Sequence, residues 1–345
     1  MHLPVICLVA IVASLLPCVT RGTEAVLLRA ESMTVLPNSL PLIHVHVQNA
    51  ADVPYDGTIS ITMPDAWKTT PAQHALRLEP GQCERVAFSV ERGREVADNS
   101  YPIEIMAVGN GQTTVRKQSI VVASAPFFKP AIDGEPSDWK DAIPVTFVHA
   151  DRQTTISTCW NRNELCVLVA VEEDRLVPAD DAAEFDAVQL AIAPRGTATG
   201  TAPSDVVTRF EYLLVAESEG KGGCYQLLQP GATLADAAAV RALPGLAYKQ
   251  ASVSVSRKDG VTYYECSLPF LPMRSSIRPG EGREFFLSVL VHDPDGTGIR
   301  DWGEAAGMWE SQRNALAWSR WIGAKWKDQP PMDCRTEWGM CSSRY

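Results

Sequence analysis

Indole rings are concentrated towards the C-terminal end of this 345-residue chain. Trp302 and Trp309 follow an acidic turn that runs from Asp293 to Asp301, and further tryptophans come after them. Flat aromatic faces beside fixed polar groups are the usual lining of a binding site. No nucleophile and base accompany them in the sequence, so the pattern indicates a surface that binds rather than a pocket that reacts.

The acidic turn also resembles a metal-binding loop. Asp293, Asp295 and Asp301 supply oxygens at spacings reminiscent of a calcium loop. The glutamate that would bind the ion with both oxygens is missing from the expected end of the loop. A plain turn is the simpler interpretation, and calcium bound by these three aspartates is the alternative.

Motifs of the common hydrolases and nucleotide-binding enzymes are missing from the sequence. It has no G-x-S-x-G, no H-E-x-x-H and no glycine loop that would hold a phosphate. Glu172, Glu173 and Asp174 are adjacent carboxylates of the kind used in glycoside hydrolysis, but a solvated strand end explains them better. His44 and His46 share a strand face without a third ligand, so we expect no zinc there. We predict that the protein is not an enzyme.

Composition limits the classes of partner. With 31 Lys and Arg against 41 Asp and Glu, the formal net charge is −10, and no basic run stands out. A nucleic-acid-binding protein needs a basic surface, and anionic membranes repel an acidic protein. We therefore expect neither nucleic acid nor a membrane surface as a partner.

The N-terminus has the pattern of an export signal. Residues 3–16 are almost wholly apolar, a run shorter than the ~20 residues that a membrane-spanning helix needs. We predict a signal peptide over residues 1–24 and a mature protein that is secreted, periplasmic or at the cell surface, with no membrane span. The residues up to Cys18 resemble a lipoprotein signal, but Pro17 stands where a small residue belongs, so lipidation is the weaker alternative.

Residues 25–124 have the alternation of a β-sandwich. Apolar and polar residues alternate in short runs between turn residues, as in strands with one buried face. The predicted strands cover 42–47, 58–63, 86–90, 101–108 and 119–122, and between them lie Asn49, Tyr55-Asp56-Gly57, Pro64-Asp65-Ala66-Trp67, Leu78 with Pro80-Gly81, and Tyr101-Pro102-Ile103. This order of motifs resembles the immunoglobulin-like sandwich domains of bacterial extracellular proteins, many of which are spacers.

A second all-β domain is predicted over residues 125–325, followed by a tail over 326–345. Two prolines bracket the boundary at 124–130, and the strand pattern restarts at Ala131. The apolar run at 165–171 has no polar face, as expected of a central strand covered on both sides. The predicted strands cover 154–160, 165–172, 187–193, 210–216, 251–256, 262–268 and 285–292, with a short helix over 234–242.

Two cysteines flank a predicted hairpin turn. With Trp160 opposite Leu165, Cys159 faces Cys166 across the turn at 161–164, and export permits a disulfide there. A four-residue loop makes the cysteines a non-hydrogen-bonded pair, and a two-residue loop makes them a hydrogen-bonded pair. Two buried free thiols are the alternative to the disulfide.

Five motifs of the second domain occur in the order found in one known family. They are Ile132-Asp133-Gly134 with Asp138-Trp139, Trp160 with the strand at 165–171, Phe185-Asp186-Ala187-Val188-Gln189-Leu190, Tyr264-Glu265-Cys266-Ser267-Leu268-Pro269, and Val289-Leu290-Val291-His292-Asp293-Pro294-Asp295-Gly296. This order resembles the family 9 carbohydrate-binding modules and the wider DOMON-like group. The resemblance implies a β-sandwich that binds sugar chains between aromatic rings and often carries structural calcium.

The resemblance also implies which residues contact the sugar. Family members hold it between two tryptophans, and Trp309 matches the one after the acidic turn, with Trp302 close by. At the position of the other tryptophan this chain has Ala183, and Phe185 is the aromatic substitute. Trp139 and Trp160, by contrast, are expected in the core.

These observations predict an exported, non-catalytic protein that binds a polysaccharide or glycan, alongside a cell-surface or enzyme partner. Two alternatives stay open: an adhesive or structural surface protein whose sugar site is lost, and a haem carrier, because DOMON-like relatives bind haem through Met and His. No cofactor other than structural calcium is expected. The available haem ligands are His149, His292, Met273 and Met308.

Overall fold

The computed structural model describes residues 25–179, 183–195, 206–218, 221–274, 276–309, 313, 317–326, 330–332 and 336–342. The predicted signal peptide, including Cys18, lies outside these residues. Within them, no helix has both the length and the apolar character needed to span a bilayer.

The first domain consists of two four-stranded antiparallel sheets. Its strands are β1 (Val26–Ala30), β2 (Leu42–Asn49), β3 (Tyr55–Thr62), β4 (Lys68–Thr70), β5 (Gln73–Leu78), β6 (Cys83–Glu91), β7 (Tyr101–Gly109) and β8 (Gln112–Ile120). One sheet has the order β1-β2-β6-β4 and the other β5-β3-β7-β8. Alternate residues of both sheets, such as Ile43 and Ile105, share one core. The predicted alternation therefore forms a β-sandwich.

The last predicted strand of this domain begins earlier than expected. The pattern placed it at 119–122, whereas β8 starts at Gln112. Asn110 and Gly111 have positive φ, so they form a tight turn that lets the chain pair immediately with β7. β8 is an edge strand with mostly polar side chains, so it lacks the apolar alternation that would reveal it in the sequence.

The second domain is also all-β, with two sheets and short helices. Its strands are β9 (Ser124–Ala125), β10 (Val145–His149), β11 (Arg152–Trp160), β12 (Glu164–Glu172), β13 (Ala187–Pro194), β14 (Phe210–Ser218), β15 (Lys221–Leu228), β16 (Ser252–Lys258), β17 (Val261–Pro269), β18 (Arg283–Asp293), β19 (Gly298–Asp301) and β20 (Glu337–Met340). Its helices are α1 (Leu234–Ala238), α2 (Phe270–Met273) and α3 (Trp302–Ala305). One sheet has the order β10-β11-β12-β17-β16 and the other β15-β14-β13-β18-β20-β9, with β19 paired to β18.

The opening motif of this domain is explained by one buried carboxylate. Glu265 of β17 accepts hydrogen bonds from the backbone N–H groups of Asp133 and Gly134, at 3.2 and 2.7 Å, and from the Trp139 indole at 2.9 Å. The loop and its indole thereby cover the outer face of β12, whose Leu168 packs with Trp139. This cover is why β12 has no polar face, and it confirms that Trp139 belongs to the core.

The residues expected as a C-terminal tail contain a sheet strand. β20 pairs antiparallel with β18 and parallel with β9. Trp338 is fully buried and donates to the Thr158 hydroxyl at 2.8 Å. A Cβ at Gly339 would lie 2.2 Å from the carbonyl oxygen of Thr34 in the first domain. Four residues with one glycine carry no periodic signal, so the sequence did not reveal this strand.

The hairpin with the two cysteines has the predicted register. Cys159 lies opposite Cys166, and Trp160 lies opposite Leu165. The Asn161 N–H donates to the Glu164 carbonyl at 3.0 Å, so only two residues form the loop. The cysteines are therefore a hydrogen-bonded pair, and both are thiols in this structure.

Candidate functional site

Trp302 and Trp309 have different surroundings although they are close in sequence. Trp302 starts α3, is 3% exposed, and lies in the main core with its ring 5.7 Å from that of Phe147. The Asp301 carboxylate caps α3 by accepting from the Gly303 N–H at 2.8 Å, which holds this turn against the core. The expectation that Trp302 contacts a sugar is wrong, because its indole is buried in the core.

Trp309 keeps part of its indole in solvent. All nine tryptophans of the chain lie in the described residues, and only Trp309 and Trp326 are half-buried rather than buried. Trp309 follows Gly307, whose carbonyl accepts from Arg116 of β8. The predicted stacking residue therefore stands near the junction of the two domains.

Phe185 is an interior side chain. It is 4% exposed, and its ring lies 5.0 Å from that of Trp321. A Cβ at Gly323 would come within 1.9 Å of the Phe185 ring, so the backbone at this glycine covers it closely. Phe185 therefore offers no open face to a sugar, which corrects its assignment as a platform, whereas neighbouring Ala183 is exposed.

An aromatic cover lies over β13 and β18. His292 meets Trp321 and Trp326 edge to face, at 5.0 and 5.1 Å, and its Nε2 lies 3.0 Å from the Gln189 side chain. Burial lowers the pKa of His292 to about 3. Arg320 lies 5.9 Å above the Trp326 ring. These tryptophans cover the sheet because residues 317–326 fold back over it.

The other residues considered as haem ligands lie apart from this cover. His149 is exposed at the end of β10. Met273 is fully buried in α2 as part of the main core, and Met308 is 6% exposed beyond α3. The fourth, His292, is engaged with Gln189.

The three aspartates of the acidic turn do not converge. Asp293 lies opposite Gly298, whereas Asp301 lies opposite Leu290, so the β18–β19 hairpin separates them by about 10 Å. Asp293 Oδ2 already accepts from Thr297 and Arg300, and Asp301 caps α3. Asp295 pairs with an arginine outside the turn. These residues do not fit one calcium ion, because their oxygens point to separate partners.

A different set of carboxylates does converge. Glu173, Asp186 and Asp293 place one oxygen each within 4.8 Å of one another, and all three are buried. Burial and the charge of Asp186 raise the pKa of Glu173 to about 8. Burial would also raise the pKa of Asp293, but the hydrogen bonds from Thr297 and Arg300 outweigh it and lower that pKa. The interpretation of Glu173 as part of a solvated strand end is wrong, although it holds for exposed Asp174.

No family model and no curated protein matches this chain. Among solved structures, it is similar to a family 9 carbohydrate-binding module from Caldicellulosiruptor kristjanssonii in complex with cellotriose, at 13% identity and a TM-score of 0.37, over 52% of this chain and 80% of that one. It is also similar to a family 9 carbohydrate-binding module from the same organism in complex with glucose, at 14% identity and a TM-score of 0.35, over 51% of this chain and 81% of that one. A third similar structure is the YadV chaperone, at 8% identity and a TM-score of 0.22, over 80% of this chain and 97% of that one. At TM-scores this low, these likenesses carry no conclusion about function.

Proposed function

We propose that this protein is an exported, non-catalytic carbohydrate-binding protein. An immunoglobulin-like first domain supports a DOMON-like second domain, and the second domain binds a polysaccharide or glycan beside Trp309. The order of five sequence motifs supports the assignment of the second domain. The part-exposed indole of Trp309 carries the proposal, because the other two predicted contacts are interior.

The chemistry of an indole suits this role. A pyranose presents C–H faces that stack on an aromatic ring, and its hydroxyls need polar partners nearby. Trp309 lies two residues after Gly307 in the chain. Its carbonyl accepts a hydrogen bond from the backbone N–H of Arg313 at 3.2 Å. A single aromatic platform favours a weak site for one sugar face over a two-sided clamp.

A structural or adhesive surface protein is the second candidate. The burial of Trp302 and Phe185 favours it, because two of the three predicted contacts are used for packing. In that case the tryptophans stabilise the sandwich, and the protein acts through another surface.

A glycan-array screen of the purified full-length protein separates the two candidates. We expect binding to one class of polysaccharide or oligosaccharide, with affinity in the micromolar to millimolar range that suits a single-platform site. Pull-down on insoluble polysaccharides extends the test to polymers that arrays omit. If neither experiment detects binding at millimolar sugar, the carbohydrate proposal is wrong and the adhesive candidate replaces it.

A further inference from the structure

One arginine of the first domain contacts the second domain beside Trp309. Arg116 of β8 donates from Nη1 to the Leu28 carbonyl of β1 at 2.7 Å and from Nη2 to the Gly307 carbonyl at 3.3 Å. Leu28 and Arg116 belong to the first domain, whereas Gly307 follows α3 in the second. The guanidinium therefore joins the backbones of both domains, and Trp309 lies two residues after the second acceptor.

The first domain fixes the position of this guanidinium. Gln118 lies two residues further along β8, on the same face of the strand. Its side chain accepts from the Ala30 N–H at 3.0 Å and donates to the Ala30 carbonyl at 2.7 Å. Arg116 and Gln118 thus hold β8 against β1, although these strands are edges of different sheets. Because a guanidinium is planar and rigid, the bond to Leu28 also sets the direction of the donor that reaches Gly307.

The turn after α3 has the backbone shape that this contact needs. Gly307 has a φ of 71°, which favours glycine, and a Cβ there would lie 3.1 Å from Arg116 Nη2. The Gly307 N–H donates to the Glu304 carbonyl at 2.9 Å, and the next side chain, Met308, is buried. The turn is therefore held by the second domain on one side and by Arg116 on the other, directly before Trp309.

Other segments of both domains are also joined by hydrogen bonds. The Asn99 side chain of the first domain donates to the Pro144 carbonyl of the second at 2.8 Å. The Thr34 hydroxyl donates to the Glu284 carboxylate of β18 at 2.8 Å. These contacts limit how far the two domains can move apart, so a side chain of the first domain can hold a turn of the second in a fixed place.

We propose that the first domain is part of the glycan site, with Arg116 as a positioning residue. Arg116 holds the Gly307 carbonyl and thereby orients the Trp309 indole on which a sugar ring stacks. The inference rests on the proposed carbohydrate function, and Arg116 acts through the turn rather than by touching the sugar. An aromatic platform that is fixed before binding loses less conformational entropy when the sugar stacks on it. The first domain is therefore more than a spacer.

Fluorine NMR of the full-length protein labelled with 5-fluorotryptophan tests the positioning without any sugar. The Trp309 resonance is assigned from its loss in Trp309→Phe. Arg116→Met removes every donor of the side chain, so we expect the Trp309 resonance to shift and its sensitivity to D2O to increase. The resonance of buried Trp139 should stay unchanged, which verifies that the variant is folded. If Arg116 merely joined the domains, the melting temperature would fall while the Trp309 resonance stayed as in the parent, and this result overturns the proposal.

Lys117→Met is the matched control. Lys117 is the next residue of β8, is exposed, and pairs with Glu104 at 3.8 Å. The same positive charge is lost and the same side chain is introduced, but on the opposite face of the strand. We expect the Trp309 resonance of this variant to equal that of the parent. Equal shifts in Arg116→Met and Lys117→Met would show that the bond to Gly307 does not position the indole, and would overturn the proposal.

Glycan affinity separates the failure of this inference from that of the proposed function. With a glycan identified on the array, Arg116→Met should raise Kd about fivefold, whereas Lys117→Met should leave it unchanged. If the parent binds the glycan and Arg116→Met binds it equally tightly, Arg116 has no role in the site while the proposed function stands. If the parent binds no glycan, the carbohydrate function itself is wrong and the inference falls with it.

Discussion

At the scale of single residues, the two half-buried tryptophans lie in different surroundings. Trp326 has Arg320 above its ring and His292 against it. Trp309 is the predicted platform, and it lies outside this cluster. The difference makes Trp326 a matched control for Trp309.

We therefore expect Trp309→Ala to weaken glycan binding and Trp326→Ala to leave it nearly unchanged. Loss of one stacked indole should cost on the order of 1 kcal/mol, a five- to tenfold rise in Kd. Titration of the glycan identified on the array, followed by tryptophan fluorescence or calorimetry, measures both variants. Equal affinity of Trp309→Ala and the parent would remove Trp309 from the site, and circular dichroism verifies that each variant is folded.

At the scale of elements, the β11–β12 hairpin sets the chemistry of its two cysteines. Cys159 and Cys166 are buried side by side against Trp139. Cα atoms of a hydrogen-bonded pair are about 5.5 Å apart, which a disulfide tolerates. Burial raises the pKa of Cys159 well above its usual range, so the thiol pair reacts slowly once the hairpin has folded.

We predict that the exported protein carries a Cys159–Cys166 disulfide formed before the hairpin is covered. The closed loop is short, so the bond should stabilise the fold by only about 2 kcal/mol. A peptide map under non-reducing conditions should show the two peptides linked. The protein is unfolded and alkylated without any reductant. If both Cys159 and Cys166 are then alkylated, the prediction is wrong. Cys224 serves as the internal reference for a free thiol.

The second prediction at this scale concerns β20. A chain that ends at Lys325 loses the strand between β18 and β9 together with the buried indole of Trp338. We expect the melting temperature to fall by at least about 10 °C, because removing a buried tryptophan alone costs 3–5 kcal/mol. A chain that ends at Cys341 keeps β20 and should melt like the parent. Similar melting of both truncated proteins would show that the strand is dispensable.

At the scale of the whole molecule, a cavity of about 280 Å³ lies between the two domains. Glu31 of the first domain and Glu337 of β20 both line it. Hydrogen bonds from Arg85 and His46 outweigh the effect of burial and lower the pKa of Glu31 to about 2. Burial and the charge of Glu31 raise the pKa of Glu337 to about 8, although Arg29 and Arg85 partly oppose the shift.

The raised pKa of Glu337 predicts a pH-dependent effect of its replacement. In the unfolded chain, Glu337 has its ordinary pKa of 4.5. The contribution of protonated Glu337 to the free energy of unfolding is therefore fully present below pH 4.5 and is lost as the pH rises through about 8. Glu337→Gln should therefore be more stable than the parent at pH 9, by about 1 kcal/mol or more, and equal to it at pH 4. Denaturant unfolding at both pH values measures this.

The control for that experiment is Glu84→Gln, an exposed glutamate beside Arg85 on β6. It should shift the free energy of unfolding little and by the same amount at both pH values. A Glu337→Gln variant that is destabilised at pH 9 would contradict the repulsion between Glu31 and Glu337 across the cavity.

The amino-acid sequence by itself determined most strands, the all-β class and the hairpin register. Alternation with a period of two residues is a local property, so strands such as β3, β7 and β13 could be placed from it to within a few residues. The core position of Trp139 and the register that places Cys159 opposite Cys166 followed from the same local patterns.

Only the tertiary structure decided which side chains meet. Glu173 follows β12, Asp186 precedes β13 and Asp293 ends β18, so their convergence depends on strand order and on how the two sheets pack. The inward position of Trp302 likewise depends on packing against Phe147, and that of Phe185 on a segment that folds back over the sheet. Such contacts join residues far apart in the chain, and no local periodicity records them.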